Sequence, residues 1–284
     1  MQPAVWGLQR DFYRHRGQQV FYRAEGVGEE HLLAIHGFPT SSWDWHKVWP
    51  GLTARYQVIA PDLLGFGLSD KPVDYAYSLC DQADLCEGLL RERGIGAAHI
   101  LAHDYGDSVT QELLARQAEG RLGFQIRSVC LLNGGIIPAA HRPRLMQRLL
   151  QSPLGRFIGP HMTEASFRRS FLPIFGPNTA PSDEELRGYW YFLQHNHGPR
   201  VAHLLIRYMA ERRAHASRWV GALRNPGVPL TLIFGAKDPI SGQHMIEAFR
   251  AINSTATVHE LANIGHYPQS EAPEDVLWIF RGGR

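Results

Sequence analysis

The 284-residue chain predicts an α/β fold, a mostly parallel sheet flanked by helices. Two observations predict it. Short apolar runs of strand length recur at 31–36, 58–61, 99–103, 128–133, 230–234 and 257–261. Helical patterns such as 79–90 and 105–117 separate most of them. Alternation of strand and helix builds a parallel sheet with right-handed crossovers. The earlier segment 18–23 reads as an additional, antiparallel strand.

Each element has its own signal. After the run at 31–36 comes His36-Gly37-Phe38-Pro39, a tight loop of the kind that presents a backbone N–H to a reacting oxygen. After 58–61 comes Asp62-Leu63-Leu64-Gly65-Phe66-Gly67. Its Gly-x-Gly lacks the third glycine and the following acid of a dinucleotide site, so it reads as a structural turn. The run at 99–103 ends in His103-Asp104-Tyr105-Gly106-Asp107, and a helical pattern with Val109, Leu113, Leu114 and Ala118 follows. Strand, sharp turn and helix expose the central residue of the turn, where an acyl-transfer enzyme carries serine.

Here that residue is Asp104. A serine attacking saturated carbon would leave an ether, which water does not readily cleave. A carboxylate leaves an ester, which an activated water can open at its carbonyl. A free carboxyl is also ionised at neutral pH without help from a base. An Asp in this place is equally an ordinary helix N-cap. Ser108, inside the helix, reads as a packing serine, not a rival nucleophile. Asp238 follows the run at 230–234, and His266 follows the last strand. The chain order is nucleophile, acid, histidine. In those roles His266 deprotonates water and Asp238 holds its imidazole.

The rhythm of strands breaks between about 138 and 221. Spacing such as Leu186, Tyr189, Trp190 and Leu193 is helical, and Pro153, Pro160, Pro173, Pro177 and Pro181 divide the stretch into short pieces. The expected organisation is a core of 1–137 and 222–284 with a helical cap at 138–221. Such an insertion sits over the carboxyl ends of the strands, where open α/β sheets bind ligands.

Composition sets the remaining bounds. The net charge of +2 is small, and the basic run from Arg207 to Arg218 reads as a solvated helix face, against nucleic-acid binding. Cys80, Cys86 and Cys130 have neither metal-ligand spacing nor a disulfide framework and read as buried thiols. No metal site is expected. Residues 1–16 lack a signal-peptide apolar run, and no window approaches a membrane span of roughly 20 residues. The expectation is a soluble, cytoplasmic protein.

The motifs at 36–39, 62–69 and 103–106, with Asp238 and His266, resemble the epoxide-hydrolase and haloalkane-dehalogenase branch of the α/β-hydrolase superfamily. The resemblance runs from about residue 18 onward. Within that branch, Ser69-Asp70-Lys71-Pro72, His103-Asp104-Tyr105-Gly106-Asp107, Asn133-Gly134-Gly135-Ile136 and Trp219-Val220-Gly221-Ala222-Leu223 are similar to the mesoderm-specific transcript proteins. The resemblance implies an eight-stranded sheet, a helical cap inserted after strand 6 and no cofactor. It implies an oxyanion hole from the N–H groups of Phe38 and Tyr105, and a pocket involving His36, His103 and Trp190.

Epoxide hydrolases protonate the leaving alkoxide with cap tyrosines. By resemblance these are Tyr208 and Tyr189, with Tyr191 a close competitor. The partner expected is a small, hydrophobic, electrophilic substrate. Opening of epoxides is the leading reading, and Phe38 and Tyr105 replace the Asn and Trp with which dehalogenases hold halide. A haloalkane, haloacid or lactone hydrolase is the alternative, and a non-catalytic binding protein the other. Asp107, an acid where epoxide hydrolases carry a small residue, is expected to raise the pKa of Asp104 if buried beside it.

Overall fold

The computed structural model describes residues 2–8 and 11–283. Eight strands form one sheet in the order β1-β2-β4-β3-β5-β6-β7-β8. They are β1 (Asp11–His15), β2 (Gln18–Glu25), β3 (Glu30–Ile35), β4 (Tyr56–Pro61), β5 (Ala97–His103), β6 (Gln125–Leu132), β7 (Leu230–Gly235) and β8 (Thr257–Leu261). β2 pairs antiparallel with both β1 and β4, and every later pairing is parallel. The strands β2 to β8 lie where the apolar runs predict them. β1 is the addition: only Tyr13 and His15 of its five residues are buried, too few for an apolar signal.

The short helices α1 (Pro3–Trp6) and α2 (Trp49–Thr53) come before β1 and β4. α3 (Leu79–Glu92) and α4 (Tyr105–Ala118) follow β4 and β5. Between β6 and β7 come α5 (Leu145–Gln151), α6 (Gly155–Ile158), α7 (Glu164–Phe171), α8 (Asp183–Gln194), α9 (Ala202–Leu205), α10 (Tyr208–Ala214) and α11 (Ala216–Arg224). α12 (Gln243–Arg250) follows β7, and α13 (Pro268–Glu271) and α14 (Pro273–Phe280) follow β8.

The last four residues of each of the strands β3, β5, β6 and β7 are buried because both faces of the sheet are covered. In β3, Leu33 and Ile35 enter one core layer, while Leu32 and Ala34 enter the other. The first layer holds Val109 and Leu113 of α4, and the second holds Trp43, Trp45 and Trp49. Among the described residues the stretch between β6 and β7 is helical without a strand, and α11 runs on to Arg224. Its prolines stand at or between short helices, and Thr163 and Ser182 cap α7 and α8 with their hydroxyls. All three cysteines are free.

Candidate active site

The turn after β5 is strained. Asp104 has φ 45° and ψ −97°, a region that costs a non-glycine residue about 1–3 kcal/mol. The strain is sustained by close packing of the elbow on β3. A Cβ on Gly106 would stand 2.3 Å from the carbonyl oxygen of Ile35, so only glycine fits there. The N–H of Asp104 donates to the Leu132 carbonyl at 3.1 Å, tying the elbow to the end of β6. The turn thereby raises one carboxylate at the carboxyl end of the sheet, and that carboxylate is 3% exposed.

Two donors face it. The N–H of Phe38 donates to Oδ2 at 3.2 Å, as expected for the loop after β3. Arg212 of α10 donates from Nη2 to the main-chain oxygen of Asp104 at 2.8 Å and approaches Oδ1 at 3.4 Å. Its Nε donates to the hydroxyl of Ser108 at 2.5 Å. Burial alone would push the Asp104 carboxyl up. The charge of Arg212, then those of His266 and His103, outweigh burial and hold it below its ordinary value.

Asp107 behaves in the opposite way. It is fully buried, and a Cβ on Gly134 would lie 2.1 Å from its Oδ2. Burial, and then the Asp104 charge, raise its carboxyl well above the ordinary value. The expected disturbance therefore falls on Asp107 and spares Asp104, because Arg212 compensates Asp104 directly.

His266 stands beyond β8 and is also buried. Its Nδ1 lies 2.7 Å from Oδ2 of Asp238, beyond β7. The Asp238 carboxylate also accepts from Asn133 Nδ2 at 3.0 Å, Ser241 Oγ at 2.7 Å and the Ile240 N–H at 2.7 Å. Burial opposes a charged imidazole, but Asp238 and then Asp104 more than offset it, and the His266 pKa is raised. For Asp238, burial is outweighed by the charge of His266 and by these donors, and its pKa falls to about 2.

Other expected residues fall in different places. Tyr208 is at the elbow: its buried ring lies 5.0 Å from that of Tyr105 and 5.8 Å from that of Phe38. Its hydroxyl is buried with the Arg212 and Gln147 side chains near it, and burial and the Asp104 charge raise its pKa. Tyr189 is not brought there. Its ring packs on Trp43, Phe171 and Tyr267, because α8 turns that face toward the second core layer. Tyr191 is exposed. Trp190 packs against Phe167 and does not line the cavity described below.

His36 and His103 hold the framework instead of a pocket. His36 bonds the Gly37 carbonyl at 2.8 Å and accepts from the Leu63 N–H at 3.0 Å. His103 Nε2 bonds the main-chain oxygen of His266 at 2.8 Å. The Gly65–Gly67 turn is structural as expected, with Asp62 accepting the N–H groups of Ser42 and Leu68 at 2.7 and 2.6 Å.

The basic run on α10 and α11 departs most from expectation. Arg207 and Arg213 are exposed, as a solvated face requires, but Arg212 is 2% exposed, because the face carrying Tyr208, Met209 and Arg212 packs onto the elbow. Helical spacing hints at that face, but an arginine on it carries no apolar signal. Asn133 was likewise readable only as part of a motif. Among the described residues, one grouping has metal-ligand type, Cys80, Glu211 and His215, with ligand atoms within 4.8 Å of one another. There Glu211 already accepts the N–H groups of Leu79 and Cys80, and burial pushes the Cys80 thiol up to about 12.

A cavity of about 350 Å³ opens between the sheet and the inserted helices. Its wall is mainly apolar, with Met146, Leu150, Phe167, Phe171 and Ile240, and it includes Phe38 and His266. No helix among the described residues is long and apolar enough to cross a membrane.

Residues 32–277 match the alpha/beta hydrolase family. The chain belongs to that family. This hydrolase is 41% identical to the mesoderm-specific transcript protein of Mus musculus over 298 residues, covering 99% of this chain and 88% of that one. It is 42% identical over 256 residues to the putative hydrolase LipZ of Mycobacterium tuberculosis, covering 90% of this chain and 88% of that one. Among solved structures it is similar to the haloalkane dehalogenase DbeA from Bradyrhizobium elkani USDA94, with TM-score 0.80 and 25% identity over 96% of each chain. The epoxide hydrolase CorEH matches in fold with TM-score 0.78 at 20% identity, over 96% of this chain and 97% of that one.

Proposed function

We propose that this hydrolase opens epoxides to diols through a covalent ester on Asp104. The observation that carries the reading is the ionised, buried carboxylate at the strained turn where acyl-transfer relatives place serine. Asp104 attacks an epoxide carbon, reached past Phe38 and His266. The C–O bond breaks, and its electron pair passes to the ring oxygen. Tyr208, whose buried hydroxyl stays protonated beside Asp104, gives that oxygen its proton. His266 then takes a proton from water, and the hydroxide attacks the ester carbonyl. The Phe38 and Tyr105 N–H groups hold the oxyanion, and Asp238 stabilises the imidazolium. The tetrahedral intermediate expels the second diol oxygen, which takes the proton of the hydroxyl that came from water, so the carboxylate is restored, and the proton held by His266 returns to the Tyr208 phenolate. The helices at 138–221 act as the cap that shapes the cavity.

The test is the intact mass of His266→Ala incubated with aryl and alkyl epoxides. An increment equal to the epoxide, abolished by Asp104→Asn, is expected. Adducts from alkyl halides alone, with halide release by the unmodified enzyme, would assign a dehalogenase. No adduct from either class would overturn the covalent mechanism.

A further inference from the structure

We propose that Arg212 is a positioning residue for Asp104, reaching from the inserted helices to hold the elbow backbone and to maintain the nucleophile as an anion. The proposal rests on the reading of Asp104 as nucleophile, and it assigns the cap a direct part in making that nucleophile competent.

The geometry is specific. Arg212 Nη2 makes its short bond, 2.8 Å, to the main-chain oxygen of Asp104, while Oδ1 is at 3.4 Å. The longer approach is weak as a hydrogen bond, so it leaves a carboxylate lone pair free to attack. The positive charge nevertheless stands beside a carboxylate that is 3% exposed, where solvent screening is small. Nε on Ser108 and the ring of Tyr208, 4.4 Å from the guanidinium carbon, fix the plane of the group from two further sides. Ser108 lies on α4, one turn beyond the elbow, so the guanidinium spans the strained turn and the helix that follows it. A lysine cannot reproduce this fork.

Other groups face the Asp104 carboxylate and would not replace Arg212. His266 and His103 face it from the loop after β8 and from β5, and each is pinned by its own partner. Asp107 on α4 is held neutral by burial and by the Asp104 charge, so it supplies no cation. His141, in the loop after β6, is kept neutral by burial and then by Arg212, its pKa lowered to about 4. Tyr208 and Tyr267 are phenols of raised pKa. Arg212 is therefore the permanent cation of the group. Its loss leaves burial of the carboxylate largely uncompensated.

The experiment compares Arg212→Gln and Arg212→Lys in the His266→Ala background, where the imidazole cannot titrate. The rate of ester formation with an epoxide is followed by mass from about pH 5 to pH 8.5. For Arg212→Gln the acid limb should move upward, with a loss on the order of tenfold or more at the acid end that recovers toward the alkaline end. Arg212→Lys should keep the acid limb in place and be slower at every pH. An equal loss for Arg212→Gln at all pH values, with an unmoved limb, would mean a merely structural role and overturn the proposal.

Titration of the Asp104 carboxyl by carbon NMR, assigned with Asp104→Asn, gives a reading independent of chemistry. An upward shift in Arg212→Gln supports the proposal, and an unchanged titration overturns it, even if no variant forms an adduct and the nucleophile reading itself fails. Should Arg212→Gln not fold, Arg212→Lys decides. Slower ester formation with an unchanged titration supports the positioning role, and wild-type behaviour in both measurements overturns it.

Discussion

Asp104 and Asp107 lie three residues apart on the same turn, and the protein treats them oppositely. Arg212, His266 and the Phe38 N–H compensate the first, while the second meets burial and the first one's charge. For Asp107 the consequence for stability has a definite sign. Its folded pKa lies above the unfolded value of about 3.9. Below about pH 4 both states hold the proton and nothing is lost. As pH rises past that value the unfolded chain ionises while the folded one does not, so Asp107 increasingly destabilises the fold. Asp107→Asn keeps the shape without the ionisation. Its melting temperature should exceed that of the wild type near pH 8, and the difference should close toward pH 4. A difference independent of pH would show that Asp107 is ionised in the folded protein.

Among the elements, α4 is the piece to which most of the site is attached. Its first residues form the elbow, and its exposed-looking charges bind the inserted helices. Glu112, on α4, accepts from Arg116, Arg218 and the indole N–H of Trp219. Arg218 and Trp219 belong to α11, so one carboxylate fastens the end of the insertion to the core. Glu112→Ala would leave the largely buried Arg116 and Trp219 N–H without that partner and should cost about 3 kcal/mol of unfolding free energy, read by urea denaturation. A cost near zero would mean that apolar packing alone seats α11.

These contacts also mark where sequence reading stops. Asp104, Asp238 and His266 each follow an apolar strand, so a local pattern exposes them, and both helices flanking β5 are visible in their periodicity. Arg212 reaches Asp104 across 108 positions and Asn133 reaches Asp238 across 105, and no local pattern encodes either meeting. A charged run on a helix reads as solvated until the surface it packs on is known. By resemblance Tyr208 is the better candidate and Tyr189 the second, and nothing local in the sequence removes Tyr189, since which core layer a helix face enters depends on how the helices cross.

In the molecule as a whole, the sheet offers charge at its carboxyl edge and the inserted helices offer oil above it. Arg144, Gln147, Ser166, Arg169, Ser170 and His266 are the polar members of the cavity wall, and the remainder is aliphatic or aromatic. A volume of about 350 Å³ lies in the range of small-molecule sites. The cavity reaches Phe38, whose N–H bonds the Asp104 carboxylate, and His266; on the proposed reading it favours an electrophile carried on a hydrocarbon body, with burial of the body drawing the reactive carbon toward the elbow. Each methylene buried contributes about 0.8 kcal/mol, close to a fourfold change in an equilibrium. Along a series of straight-chain terminal epoxides, kcat/KM should rise about fourfold per added methylene while the cavity fills, then level off or fall. Leu150→Trp, which takes up space in the wall, should bring the break to a shorter chain while leaving the shortest epoxides little affected. If kcat/KM does not depend on chain length, the reacting body does not occupy this cavity, and the route to Asp104 runs elsewhere.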